Sequence, residues 1–275
     1  MPTGRIAGRG PLLCVCDRGP LMSQRGRLRP PPRWSVSAAV LGWIAAAAIT
    51  VVVQLVLESL WTAPSGIGAA AARAGVQVAG GAEPDRLDLS YWQFTLLQLP
   101  LWLTLAAVTW AIVRRHGVGL RSALGLEQRW YDVPVGLVCG LAAQFLIIPL
   151  VYLPLRPYID SQDIEEPARR IMALADDATA AAVMVAAVVL VAPFVEELYF
   201  RGLLLRALWG RMGRVLTVAL SAVLFGLAHV QILQLPALVV FGLVAGTLVV
   251  ATRRLAPAMW AHAAFNGVTV VQLLR

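Results

Sequence analysis

Seven apolar runs, each about long enough to cross a bilayer, fill most of this 275-residue chain and leave it few ways to fold. They occupy roughly residues 34–61, 91–113, 133–155, 179–209, 215–235, 237–252 and 255–274, the fourth long and the sixth short. A hydrocarbon core of about 30 Å takes about 20 helical residues to cross. Lipid offers no partner to an open backbone N–H or C=O, so each run is expected to be a helix that satisfies its own backbone. The expected fold class is all-α: a polytopic membrane helical bundle with about seven transmembrane helices and a mid-membrane cavity. Composition agrees, because 59% of the residues are hydrophobic and only 14% charged, where soluble globular domains are about a quarter charged. No room remains for a large soluble domain.

Residues 1–33 hold seven arginines and a Pro30-Pro31-Pro32 run, and read as a disordered basic N-terminal tail. They are too poorly apolar for a signal peptide, and Met22 serves as a start as well as Met1. Residues 34–275 form the transmembrane helical domain. Cys14, Cys16 and Cys139 have the spacing of neither a disulfide framework nor a zinc site.

All 23 basic residues are arginine, and the formal net charge is +8. A basic balance raises nucleic acid as a partner, but these arginines sit in short loops between apolar runs, where the positive-inside rule accounts for them. The tail, the four arginines of 114–129, the four of 201–214 and the pair Arg253-Arg254 all fall on one side of seven alternating spans. That side is expected to be cytoplasmic, which makes this a multi-pass cell-membrane protein with its N-terminus inside and its C-terminus outside. Loops 62–90 and 156–177 carry most of the acids. Within the loops, 164–175 has the look of a surface helix with Pro167 near its first turn, and 117–130 that of an interfacial segment.

Against this background the acids inside the fourth run stand out. Glu196 and Glu197 lie side by side, with Arg201 four residues on. An ionisable group at membrane depth is costly and marks a functional site by default. Glu197 and Arg201 share one helical face with the acid N-terminal, the favourable order for an ion pair, while Glu196 points about 100° away. Glu197 is therefore expected to be held by Arg201, leaving Glu196 to face a cavity. Pro193, three residues earlier, is expected to kink the helix and free a backbone carbonyl near that cavity.

The chain has three histidines. His116 lies in a basic loop, whereas His229 follows Phe225 at i,i+4 in the fifth run and His262 precedes Asn266 at the same spacing in the last. Counted at 1.5 Å per residue from Arg206, Arg254 and Arg214 in turn, Glu196, His262 and His229 lie roughly 15, 12 and 22 Å deep, His229 fitting least well. They can share one mid-depth cavity. The plainer readings are that a histidine or asparagine glues helices together and that Phe225 packs.

These residues resemble a known family. Glu196-Glu197-Leu-Tyr-Phe-Arg201 is similar to E-E-x-x-x-R, Phe225-Gly-Leu-Ala-His229 to F-x-x-x-H, and His262-Ala-Ala-Phe-Asn266 to H-x-x-x-N of the CAAX protease and bacteriocin-processing family (CPBP, also called Abi) of intramembrane proteases. Phe241-Gly-Leu-Val-Ala-Gly246 resembles the Phe and Gly segment between the last two motifs, with Ala245 where glycine is frequent. The resemblance covers 131–274. Known members have eight spans, one more than the count made here.

The resemblance implies a CPBP-type intramembrane protease, a hydrolase that cleaves peptide bonds of membrane-associated peptide or protein substrates, prenylated or leader-like. Its candidate site residues are Glu196, Glu197, Arg201, His229, His262 and Asn266. Glu196 with His229 would activate water, and His262 and Asn266 would stabilise the oxyanion. The preferred mechanism requires no cofactor; for a metalloprotease, Glu196, His229 and His262 are the candidate zinc ligands, although H-E-x-x-H is absent. The lipid bilayer is an expected partner and nucleic acid is not. Two alternatives use the same residues differently: a catalytically silent scaffold or regulator of this fold in envelope assembly or bacteriocin immunity, and a transporter, which the lack of inverted repeats disfavours.

Overall fold

The computed structural model describes residues 34–61, 90–175 and 177–273, which fall within one unit, 31–275. The expected basic tail, with Cys14 and Cys16, lies outside the described residues. Among the described residues there are nine helices and no strand: α1 (Val36–Trp61), α2 (Tyr91–Arg115), α3 (Leu120–Leu124), α4 (Asp132–Leu155), α5 (Ser161–Met172), α6 (Ala178–Trp209), α7 (Arg214–Ala228), α8 (Leu235–Thr252) and α9 (Ala256–Leu273). The fold is an all-α polytopic helical bundle.

Five of these helices, α1, α2, α4, α6 and α8, are long and apolar enough to cross a membrane. The other two of the seven expected spans fall short for a physical reason. Helix α7 ends after 15 residues, because Val230 takes a left-handed φ of 53° directly after His229. Helix α9 has the length but carries His262, Asn266 and Gln272, which lower its apolarity. The two helices that depart from the spanning pattern are thus the two that present histidines to the interior.

Local chemistry explains the boundaries. Helix α2 opens on a capping box: the Ser90 hydroxyl accepts from the Gln93 N–H at 3.4 Å and the Gln93 carboxamide oxygen accepts from the Ser90 N–H at 2.8 Å. Gly125 closes the short α3 at φ 70°, so the interfacial segment is helical over only five residues. Surface helix α5 starts at Ser161, capped by Asp160, which puts Pro167 inside the helix and not in its first turn. The buried Thr50 and Thr109 satisfy their hydroxyls within their own helices, donating to the Ala46 and Leu105 carbonyls at 2.8 Å.

Helices α4 and α6 each contain a widened, π-helical turn, at Ala143–Ile147 and Ala187–Val191. In each case a proline follows two residues later, Pro149 and Pro193. A proline has no N–H and its ring collides with the carbonyl four residues back; widening the turn relieves that collision. The kink expected at Pro193 therefore takes the form of a π turn, and a second one, Leu198–Leu204, follows the glutamate pair.

Small residues set the helix contacts. Gly136 and Gly140 on α4 face α9 so closely that a Cβ at Gly136 would meet the Pro257 carbonyl at 2.5 Å, and one at Gly140 would strike the Ala261 carbonyl. Gly242 on α8 sits against Ala222 of α7 in the same way. Gly136 with Gly140, and Gly242 with Gly246, follow the G-x-x-x-G spacing that brings membrane helices together. At the arginine-rich end Arg254 grips Asp132 with two bonds, Nη2 to Oδ1 at 2.5 Å and Nε to Oδ2 at 2.8 Å, which fastens the start of α4 to the α8–α9 turn. Helix α1 is tied to α6 by the Trp34 indole, which donates to the Leu203 carbonyl at 2.9 Å, and by the Tyr199 hydroxyl, which donates to the Ala39 carbonyl.

Candidate active site

The middle of α6 supplies both acids, and burial separates them at once. The Glu197 and Arg201 side chains have no exposure at all, whereas Glu196 retains 20%. The 100° between neighbours on a helix is the cause: one residue turns into the bundle and the other keeps a partly exposed face.

Arg201 Nη1 donates to Glu197 Oε1 at 2.9 Å, the i,i+4 pair expected from spacing. The same oxygen also holds His262 Nδ1 of α9 at 2.9 Å. Glu197 thus bridges a guanidinium and an imidazole from a helix 65 residues further along. Arg201 has a second neighbour, the Phe225 ring of α7, with Cζ 4.1 Å from its centroid. A cation over an aromatic face in a dry interior is attracted by the ring quadrupole, by about 2 kcal/mol when desolvated. That contact is how a buried arginine with unpartnered Nε and Nη2 is accommodated.

Glu196 Oε2 lies 3.9 Å from His229 Nε2 and 3.8 Å from His262 Nε2. Three helices therefore bring one carboxylate oxygen and two imidazole nitrogens together. Each imidazole is oriented by what its other nitrogen meets. His229, at the C-terminal cap of α7, has Nδ1 at 2.8 Å from the Phe225 carbonyl. A carbonyl can only accept, so Nδ1 carries the proton and the neutral ring presents a lone pair at Nε2. The Glu197 carboxylate imposes the same tautomer on His262, because it too is an acceptor at Nδ1.

Phe225 is the hub of the site. It is fully buried and stands edge-on to His229 and His262, with centroids 4.7 and 5.8 Å apart. Phe241 of α8 covers the other side of His262 at 4.6 Å. The packing role expected of Phe225 is thus joined to a direct hold on Arg201 and both imidazoles.

Asn266 lies one turn beyond His262 on α9, and its Nδ2 donates to the Val188 carbonyl of α6 at 2.9 Å. The structure brings Glu196, Glu197, Arg201, His229 and His262 into one cluster, and ties Asn266 to the backbone of the same helix. His116 is elsewhere, its ring against Trp34 at 6.0 Å.

The carboxylate and two Nε2 atoms are donors of the kind that bind zinc, but their spacing is wide. With metal–ligand bonds of 2.0–2.2 Å, the edges of a tetrahedron are about 3.3–3.6 Å. No group of three His, Cys, Asp or Glu among the described residues is arranged to hold a metal ion. The chemistry below is derived without one.

Two features of this site have no counterpart in the motif reading. The glycines Gly136 and Gly140, which seat α9 and hence His262 against α4, are legible as G-x-x-x-G in the fourth-helix sequence. The link from Asn266 to Val188 has no local signal, since the two residues are 78 positions apart.

Residues 178–268 match the family described as type II CAAX prenyl endopeptidase Rce1-like. The match begins at the first residue of α6 and includes every candidate site residue. No curated protein and no solved structure matches the chain. Over this segment, about a third of the chain, the protein is similar to the CAAX prenyl endopeptidases, which supports the resemblance to the CAAX protease and bacteriocin-processing family.

Proposed function

We propose that the protein is an intramembrane endopeptidase in which Glu196 and His229 activate water for attack on a peptide bond. The observation that carries this reading is the position of Glu196 Oε2, 3.9 Å from His229 Nε2 and 3.8 Å from His262 Nε2. A water about 2.8 Å from both Glu196 Oε2 and His229 Nε2 subtends an angle near 90° between them, an arrangement hydrogen bonding allows. The lone pairs it meets are those left free by the tautomer at His229.

In the proposed reaction the water oxygen attacks the scissile carbonyl carbon while its proton passes to Glu196, with His229 as the second acceptor. The carbonyl oxygen becomes an oxyanion. Collapse breaks the C–N bond, the proton on Glu196 goes to the leaving amine, and the products are a carboxylate and an amine. His262 assists as a donor only when protonated, because Glu197 already takes its Nδ1 proton. Asn266 is the proposed second donor to the oxyanion, a role worth about 3 kcal/mol in other hydrolases.

The proposed substrates are membrane-associated peptides, prenylated or leader-like, and the proposed orientation puts the arginine-rich loops on the cytoplasmic side. The test is cleavage of a fluorogenic prenylated peptide by purified protein. Glu196→Gln and His229→Ala are each expected to lower turnover by about 10²–10⁴, the usual contribution of a general base, in a protein that still inserts and folds. Undiminished cleavage by both variants overturns the reading. Stoichiometric zinc in active enzyme, with activity lost to chelators and restored by zinc, overturns its metal-free form.

A further inference from the structure

We infer that Pro193 is a positioning residue for Asn266: by leaving the Val188 carbonyl without an intrahelical partner, it creates the acceptor that fixes the asparagine carboxamide. The cause lies in the backbone of α6. In the π turn Ala187–Val191 each bond spans five residues, and the Ala192 N–H donates to the Ala187 carbonyl. The next acceptor in that register is the Val188 carbonyl, and the next donor would be residue 193. Pro193 has no N–H. The carbonyl is left open in a membrane interior, where an unsatisfied backbone group is costly.

Asn266 fills the gap from α9, with Nδ2 at 2.9 Å from that oxygen. The helices approach closely here: beside Asn266, a Cβ at Gly267 would meet Val189 Cγ1 at 3.7 Å. The contact does two things. A carbonyl accepts only from N–H, so it selects Nδ2 over Oδ1 and sets the orientation of the amide. It also engages one of the two Nδ2 hydrogens and leaves the other for a developing oxyanion. This second consequence rests on the proteolytic reading; the first does not.

Pro193 and Asn266 therefore act as a unit. Restoring an N–H at position 193 gives Val188 an intrahelical donor whichever way the helix settles, residue 193 in the π register or residue 192 in the α register. The asparagine bond is then no longer the one that satisfies this carbonyl, and its contribution falls.

The test is a thermal-unfolding cycle on full-length protein in detergent with Pro193→Ala, Asn266→Ala and the double variant. Asn266→Ala is expected to lower the midpoint by about 2–4 °C in the wild-type background, the cost of one buried hydrogen bond in a chain of this size. In the Pro193→Ala background the shift should fall to less than half of that. Equal shifts in both backgrounds overturn the inference. The activity arm uses the same variants: Pro193→Ala should lower kcat about tenfold with KM unchanged and without loss of stability, and Asn266→Ala should cost a smaller factor in that background than in the wild type. Wild-type kcat in Pro193→Ala overturns the positioning role. Absence of cleavage by the wild-type protein itself counts against the proteolytic reading alone, and the thermal arm then decides the contact.

Discussion

Adjacent glutamates here do different work, and the difference can be measured. Glu197 neutralises a buried guanidinium and orients His262, so Glu197→Gln leaves Arg201 charged and without a counter-ion in a dry interior. It should cost about 3–5 kcal/mol of stability, the usual penalty for breaking a buried pair. Glu196 has no hydrogen bond to maintain among the described residues, and Glu196→Gln should leave the unfolding midpoint nearly unchanged while removing cleavage. Thermal unfolding of the two variants side by side checks both. A third residue stores strain: Val230, β-branched and at φ 53°, ends α7 immediately after His229. A branched side chain in the left-handed region costs about 1–2 kcal/mol, so Val230→Gly should stabilise the protein by about 1 kcal/mol by thermal unfolding. Looser positioning of His229 in that variant should appear as a lower kcat.

At the scale of helices, α9 is held to α4 by glycines and to α6 by polar side chains. Gly140→Ala drives a Cβ into the Ala261 carbonyl, one residue before His262. Overpacking of this kind costs about 1–3 kcal/mol, and displacing α9 should lower turnover as well. Gly119→Ala is the control, because a Cβ there meets nothing nearer than Ser122 Oγ at 3.7 Å; unfolding and cleavage assays on the pair decide it. The surface helix α5 is a different kind of element. Its two ion pairs, Glu165 with Arg169 and Glu166 with Arg170, are both 2.6 Å long and roughly half exposed, and exposed i,i+4 pairs are worth only about 0.3–0.5 kcal/mol. What anchors the helix is Gln234, whose Nε2 donates to the Ile164 carbonyl at 2.7 Å from the connection between α7 and α8. Pro167 and the acids before it point to a helix with its first turn near the proline, but the helix starts earlier, at Ser161, because Asp160 caps it there.

For the whole molecule, the arginine distribution predicts a topology that cysteine labelling tests. With Cys14, Cys16 and Cys139 replaced, a single cysteine at Tyr158 should react with a membrane-impermeant maleimide in intact cells, and one at Gly117 only after the membrane is opened. The reverse pattern would invert the orientation. The sequence by itself determined that the chain is helical and membrane-spanning, because hydrocarbon leaves a polar backbone no other partner. It also determined that Glu197 and Arg201, Phe225 and His229, and His262 and Asn266 each share a face, because 3.6 residues per turn makes i,i+4 neighbours. Which faces meet was decided by the tertiary structure, since the rotation and depth of each helix follow from close packing at Gly136, Gly140 and Gly242 and from anchors such as Asp132 with Arg254. Only then do the Glu197 bond to His262, the two imidazole tautomers and the hold of Asn266 on Val188 exist. They join residues 65 and 78 positions apart, a distance over which local periodicity carries no information.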